Sequence, residues 1–408
     1  MHPVVSHHDS FASAVALQRI PAAKWLAANV VLWGISTACT AAAHSYRALL
    51  IARIFLGLFE AAIAPSLMLI SSQWYTRSEQ SPRFSFWYSG LGLGQIIGGL
   101  VSYGFQKVSN PSFEGWRIMF VCLGCVTVVI GLATFIILPD TPMTANFLSE
   151  TEKMALLKHV STNQTGIQNK RYKFSQLFEV LWDPQLWMLA INAILACISS
   201  GVLSSYSSTL IRELGFTSSD AALLNIPSGV VSIIAIVAVG YGVRRTSHRW
   251  AWIVGCCVPG VVGGALMSFA HGRAAPLLGI YLVNGTTPVL SVLYQWTMAN
   301  CAGQTKRVVA SSLIAAAFSV GTIIGPQTFQ AKDAPGYLPA KISLLASQAA
   351  SGFMAFTLYL YYRWTNKKRD KADAANRANT AEAGGPADAR IAWGNLTDME
   401  NKTFRYVY

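Results

Sequence analysis

An arginine, a glycine and a glutamate stand at positions 53, 57 and 60, inside an apolar run over residues 49–70. That run is long enough to cross a bilayer. An ionisable side chain at such depth costs about 2.5–3.5 kcal/mol on insertion scales, so it is rare and usually functional. The offsets of four and seven put Arg53, Gly57 and Glu60 on one helical face. At a rise of about 1.5 Å per residue the two charges stand roughly 10 Å apart along the axis, so they do not simply quench each other. A guanidinium keeps its charge through a cycle and offers a carboxylate a planar fork of donors. A membrane-embedded carboxyl can relay protons. Each charge therefore needs its own partner: water, another helix or a substrate. The competing reading is an Arg satisfied by backbone carbonyls and a neutral Glu hydrogen-bonded between helices.

Other polar groups inside apolar runs are candidates for neutral substrate contacts: Tyr206, Ser207, Asn284, Gln295 and Ser319. Each also suits an ordinary helix–helix hydrogen bond, worth about 0.6 kcal/mol on average in membrane measurements. Pro227, Pro288 and Pro326 mark points where a helix kinks and a gate can hinge. No nucleotide-binding loop, metal cluster or nucleophile–base set is present, so no catalytic residue, metal or cofactor is expected and the chain does not read as an enzyme. Cys122 and Cys125 have metal-site spacing but sit within an apolar helix with no second ligand pair, where packing is the expected role.

The elements that must position these residues are hydrophobic helices. The 408-residue chain is 53% hydrophobic and only 12% charged, against about 25% charged in soluble domains. Its mean hydropathy is +0.40. Ten spans are expected, near 25–43, 49–70, 86–105, 118–138, 186–211, 221–243, 251–270, 276–298, 308–329 and 342–364. The third carries Gly90, Gly92, Gly94, Gly98 and Gly99, small residues that let helices approach closely in lipid. The fold class is all-α and polytopic. A lead (1–24) precedes a four-helix half (25–138), an inter-half loop (139–184), a six-helix half (185–364) and a polar tail (365–408) expected to lack fixed structure over most of its length. Within the long loop, Ser149 followed by Glu152 reads as a helix cap. The net charge of +13 raises nucleic acid as a partner. Its bases, however, gather in alternate loops and the tail, among them Arg83, Lys153, Arg245 and Lys306. That is the positive-inside pattern, which implies cytoplasmic termini and no nucleic-acid stripe.

At this point the chain resembles the fungal anion:cation symporter branch of the major facilitator superfamily, the allantoate permease-like carriers. The matching motifs are Arg53-x3-Gly57-x2-Glu60-Ala61-x3-Pro65, Gly115-Trp116-Arg117, Leu148-x3-Glu152, Trp296-x2-Ala299-Asn300 through Arg307, Gly325-Pro326-Gln327-Thr328-Phe329 through Tyr337, and Asp398-x2-Asn401-x2-Phe404-Arg405-Tyr406 in the tail. The resemblance implies two six-helix halves joined by a long cytoplasmic loop. Here four spans precede that loop, so by this reading the N-terminal half lacks the counterparts of the family's first two helices. Gln18-Arg19-Ile20-Pro21 then resembles the approach to the family's third helix. Gly90-x3-Gly94-Gln95-x2-Gly98-Gly99 resembles the superfamily's antiporter motif with Gln95 at its proline, which fits symport better than drug antiport. Gly240 through Arg245 resembles a gating loop, with Arg244 where an aspartate is usual. Gly57, Gln95, Arg245 and the three prolines form the expected gating set. The resemblance implies a plasma-membrane carrier that couples protons to a small organic anion, with Arg53 binding the anion, Glu60 carrying the proton, and a carboxylate vitamin, a ureide or an amino-acid derivative as cargo. The alternatives are a non-transporting truncated carrier or nutrient sensor, and a secondary-metabolite exporter.

Overall fold

The computed structural model describes residues 20–75, 83, 85–108, 114–161, 174–334, 336–379, 397–401 and 403–408. Most of the expected N-terminal lead, with Gln18 and Arg19, lies outside them. Among the described residues the chain is helical, with α1 (Ala22–Thr40), α2 (Tyr46–Glu60), α3 (Ile63–Trp74), α4 (Gly90–Gln106), α5 (Gly115–Ile137), α6 (Glu150–Ser161), α7 (Phe174–Trp182) and α8 (Pro184–Glu213). There follow α9 (Ser218–Leu224), α10 (Ile226–Thr246), α11 (Arg249–Phe269), α12 (Ala274–Asn284), α13 (Pro288–Asn300), α14 (Gln304–Gln327) and α15 (Leu338–Asn379). Among the described residues, seven runs are long and apolar enough to cross a membrane: 115–137, 184–213, 218–246, 249–269, 274–300, 305–327 and 338–374. They coincide with the fourth to tenth expected spans.

Four expected spans are interrupted, three of them where proline chemistry requires it. Pro65 has no N–H to give to the carbonyl of Ala61, and α2 ends at Glu60 while α3 begins at Ile63. Pro227 follows the break at Asn225 between α9 and α10, and Pro288 opens α13 after the turn at 285–287. The fourth interruption, at Ser89 just before α4, has no proline; there the serine hydroxyl donates to the Phe86 carbonyl. Pro326 instead lies in the last turn of α14, one residue before the helix ends.

The chain forms two compact units, residues 1–170 with 208–230 and residues 171–207 with 231–408. In the first, α1 packs along α5 through glycines: a Cβ on Gly34 would meet Gly124 O at 2.9 Å, and one on Gly131 would meet Val31 N at 2.8 Å. Arg117 donates to the carbonyls of Ala41 (2.8 Å) and Ala43 (3.3 Å), where the last turn of α1 leaves acceptors without helical partners. The motif glycine beside it, Gly115, sits where a Cβ would lie 2.3 Å from Phe105 O. The glycine-rich α4 corrects the expectation of uniform close packing. Gly92 and Gly99 do meet α10 and α9, whereas Gly90, Gly94 and Gly98 face open space.

In the second unit the core is Leu186, Leu189, Ile253, Leu293, Trp296, Ile314, Leu358 and Tyr362. Here α8 and α14 approach through Gly201, Gly321 and Gly325, each within 2.6 Å of an opposing carbonyl if given a Cβ. The tail departs most from expectation. Residues 366–379 continue α15, residues 380–396 lie outside the described ones, and residues 397–401 and 403–408 are packed back on the same unit, with Tyr406 only 5% exposed.

Candidate functional site

Arg53, Gly57, Glu60, Gln95 and Pro227 belong to the first unit. Tyr206, Ser207, Arg245, Asn284, Pro288, Gln295, Ser319 and Pro326 belong to the second. Helix α2 starts at a serine cap, Ser45, whose hydroxyl accepts from Ala48 N at 3.3 Å. Only Leu56 of that helix is buried, and Ile51, Ile54 and Phe55 are exposed apolar residues. Arg53 is half-buried, its guanidinium 5.4 Å from the Phe120 ring centroid of α5. A cation over an aromatic face keeps its charge and its donors available to a further partner. Glu60 is exposed and is the last residue of α2, directly at the break that Pro65 enforces. Gly57 sits one turn before it, and its carbonyl takes the Ala61 N–H at 3.1 Å. Gln95 is half-buried, with its Cβ 3.2 Å from the position a Cβ on Gly229 would take.

In the second unit, the Tyr206 ring stacks on Phe329 with centroids 4.5 Å apart, and Phe329 meets Tyr337 at 5.2 Å. Ser207 is buried beside it. Asn284 is buried and donates to Ile280 O at 2.9 Å, while Thr287 and Ser232 donate to its carbonyl. Ser319 donates to Ala315 O at 3.2 Å, and Gln295 is half-buried on α13. Arg245 is exposed in the last turn of α10, where a cation is favoured by the helix dipole.

Two polar clusters in the second unit were not singled out from the sequence. One is a buried belt joining α8, α11 and α15. Ser351 donates to Asn192 Oδ1 at 2.7 Å, Cys257 donates to Ser351, and Gln348 donates to Ala196 O and to Ser199. Asn192 and Ser199 are seven residues apart on α8, a helical spacing that marks one face. The other cluster surrounds Lys306, whose ammonium lies 2.8 Å from Glu179, 2.6 Å from Asp183 and 2.7 Å from Asp398. Lys306 and Asp398 are fully buried and Asp183 nearly so, whereas Glu179 is partly open. The three carboxylates have metal-site spacing, but the ammonium stands among them, so the arrangement is an ion-pair network. Both Lys306 and Asp398 fall in quoted sequence motifs, which was the available signal. The contact itself spans 127 residues to Glu179 and was beyond sequence periodicity.

Residues 10–326 match the model of the Major Facilitator Superfamily. The chain belongs to that superfamily. It is 34% identical to a thiamine pathway transporter of Saccharomyces cerevisiae over all of this chain and 75% of that protein. It is 30% identical to the allantoate permease of the same yeast over 94% of this chain and 72% of that one. Among solved structures, the fucose:proton symporter of E. coli superposes with a TM-score of 0.61 at 14% identity, covering 86% of this chain and 87% of that one. A bacterial homologue of the human lysosomal transporter Spinster gives 0.59 at 16% identity, covering 88% and 87%. The helices, the family and the relatives make this a multi-pass membrane protein of a transporter family, not an enzyme.

Proposed function

We propose that the chain is a proton-coupled symporter of a small organic anion, a carboxylate or ureide-like molecule, working by alternating access in the plasma membrane with both termini cytoplasmic. The observation that carries this is the single helix α2, which holds Arg53 under an aromatic face and ends on Glu60 at a proline-enforced break. Transporter sites of this general kind use interrupted helices, because only there are backbone and charge free to meet a ligand within the membrane. Arg53 holds the substrate anion and Glu60 carries the proton. Tyr206, Ser207, Asn284, Gln295 and Ser319 supply neutral contacts, and the breaks before Pro227 and Pro288 give the hinges, with Gly57, Gln95, Arg245 and Pro326 completing the gating set. The relatives whose names read thiamine pathway transporter and allantoate permease support trying small, polar nutrients first. The alternation of basic loops supports cytoplasmic termini.

The test is accumulation of labelled carboxylates and ureides in cells expressing the chain, at two external pH values. Arg53→Lys keeps the charge but loses the planar fork, and uptake is expected to fall at least about ten-fold. Glu60→Gln is expected to abolish accumulation against a gradient while leaving substrate exchange. If both variants accumulate substrate like the unmodified chain, the assignment fails.

A further inference from the structure

Residues 397–401 and 403–408 are bound in the manner of a peptide ligand. Two asparagines each take both backbone groups of one tail residue. Asn366 donates to Tyr406 O at 2.8 Å and accepts from Tyr406 N at 3.0 Å. Asn300 donates to Val407 O at 3.0 Å and accepts from Val407 N at 2.7 Å. A primary amide has one donor edge and one acceptor edge, so it pairs with an extended backbone much as a neighbouring strand does. Trp296 adds an indole N–H to Val407 O at 2.9 Å, Arg249 N donates to Tyr408 O at 2.9 Å, and Arg369 donates to Phe404 O at 2.7 Å and Asp398 O at 2.9 Å. The Tyr406 ring fills a slot between Tyr362, 5.0 Å away, and the Arg369 guanidinium, 4.7 Å away.

The charge that locks this segment is Asp398. Its carboxylate takes Lys306, the Gln185 amide at 2.9 Å, the Tyr406 hydroxyl at 2.8 Å and the Ala302 N–H at 3.3 Å. Both oxygens are thereby saturated in a site with no solvent exposure, the arrangement a buried carboxylate needs. Burial, with the Asp398 carboxylate beside it, pushes the Tyr406 phenol well above its usual value, so it stays a donor. The partners come from the starts of α8, α11 and α14, the end of α13 and residues 362–369 within α15.

We infer that residues 397–408 are a built-in peptide ligand, seated in a preformed receptor of Asn300, Asn366, Arg369, Trp296 and Lys306, and that the seated segment braces five helices into one body. The brace is independent of the substrate reading, since it uses none of Arg53, Glu60 or the neutral contacts. It also gives the network around Lys306 a role: the tail brings the third carboxylate to a lysine that the α7–α8 junction already neutralises with two.

The experiment uses the full chain, purified in detergent, with a flexible loop carrying a specific-protease sequence inserted between residues 380 and 396. After cutting, the C-terminal fragment is expected to stay with the body through size exclusion. It should stay equally at about 0.1 M and about 1 M salt, because screening reaches exposed charges and not buried ones. Asp398→Asn keeps the side-chain shape and removes the charge, and should speed fragment release at least about ten-fold. Removing the segment by a stop after residue 396 should raise amide exchange together at the starts of α11 and α14, while α1 and α5 stay unchanged. Immediate loss of the unmodified fragment, salt-driven release, or an Asp398→Asn fragment that leaves at the unmodified rate would overturn the proposal. So would exchange that rises at no helix end in the truncated chain.

Discussion

Lys306 shows at the scale of one residue how far the sequence speaks. Its place in a motif was visible, and so was its basic character, but the loop pattern assigned it only to one membrane side. The structure buries it completely among acids from the α7–α8 junction and the tail. Nothing in local spacing could have paired residues so distant in the chain. Removing it leaves carboxylates buried together without a counter-charge, and breaking a buried pair by deleting one partner costs about 3–5 kcal/mol. Lys306→Met is therefore expected to lower the thermal midpoint of the purified protein strongly. Glu179→Gln, at the open edge of the same network, should cost about 1 kcal/mol or less. Equal losses from the two substitutions would mean that burial does not grade this network. Arg53 and Glu60 are the opposite case. The sequence alone singles them out, because a charge in an apolar run is conspicuous without any knowledge of its neighbours.

Elements were legible where backbone chemistry is local. The cap at α6 is one example. Ser149 N and its hydroxyl both donate to Glu152 Oε2, at 2.9 and 2.8 Å, and Glu152 N donates back to the Ser149 hydroxyl at 3.3 Å. The Ser149 backbone N–H, then its hydroxyl, hold the Glu152 carboxyl below its usual 4.5. The lowered value means that the cap stabilises α6 fully above pH 4.5 and is lost as pH falls through the folded-state value. Exchange protection at the first amides of α6 should therefore be flat through neutral pH and decline in acid below the usual carboxylate range. Glu152→Ala should be unprotected at both ends of the scale. A variant with the unmodified pH profile would show that the cap does not set the start of the helix. The breaks before Pro227 and Pro288 were legible for the same local reason, although the sequence presented each interrupted span as one hydrophobic run; the break before Pro65 was not singled out, and Pro326 only precedes a helix end. The tail was misjudged because composition reports only what a segment lacks in apolar residues. It does not report that Asn300, Asn366 and Arg369 are waiting for its backbone.

For the whole molecule the open question is whether α2 and α3 cross the membrane as one interrupted span. Neither does so alone: at about 1.5 Å per residue α2 reaches about 22 Å and α3 about 18 Å, short of a hydrocarbon core of about 30 Å. Joined in one direction they reach about 43 Å, enough with some tilt. The two linking residues favour the joined arrangement. Ala61 (φ −60°, ψ −23°) and Ala62 (φ −78°, ψ −17°) both keep right-handed helical backbone, so the chain loses hydrogen bonds at the break without reversing. A single cysteine placed at Ser45, before α2, and another at Tyr75, after α3, should then react with an impermeant thiol reagent from opposite membrane faces, in a background whose native cysteines are replaced. Labelling from the same face would make the pair a re-entrant hairpin. In that arrangement Glu60, at the tip, would still enter the membrane, but the side-to-side path that links Arg53 to a proton carrier would be gone. The symport mechanism proposed for this helix would fall with it, while the brace at the other end of the chain would stand.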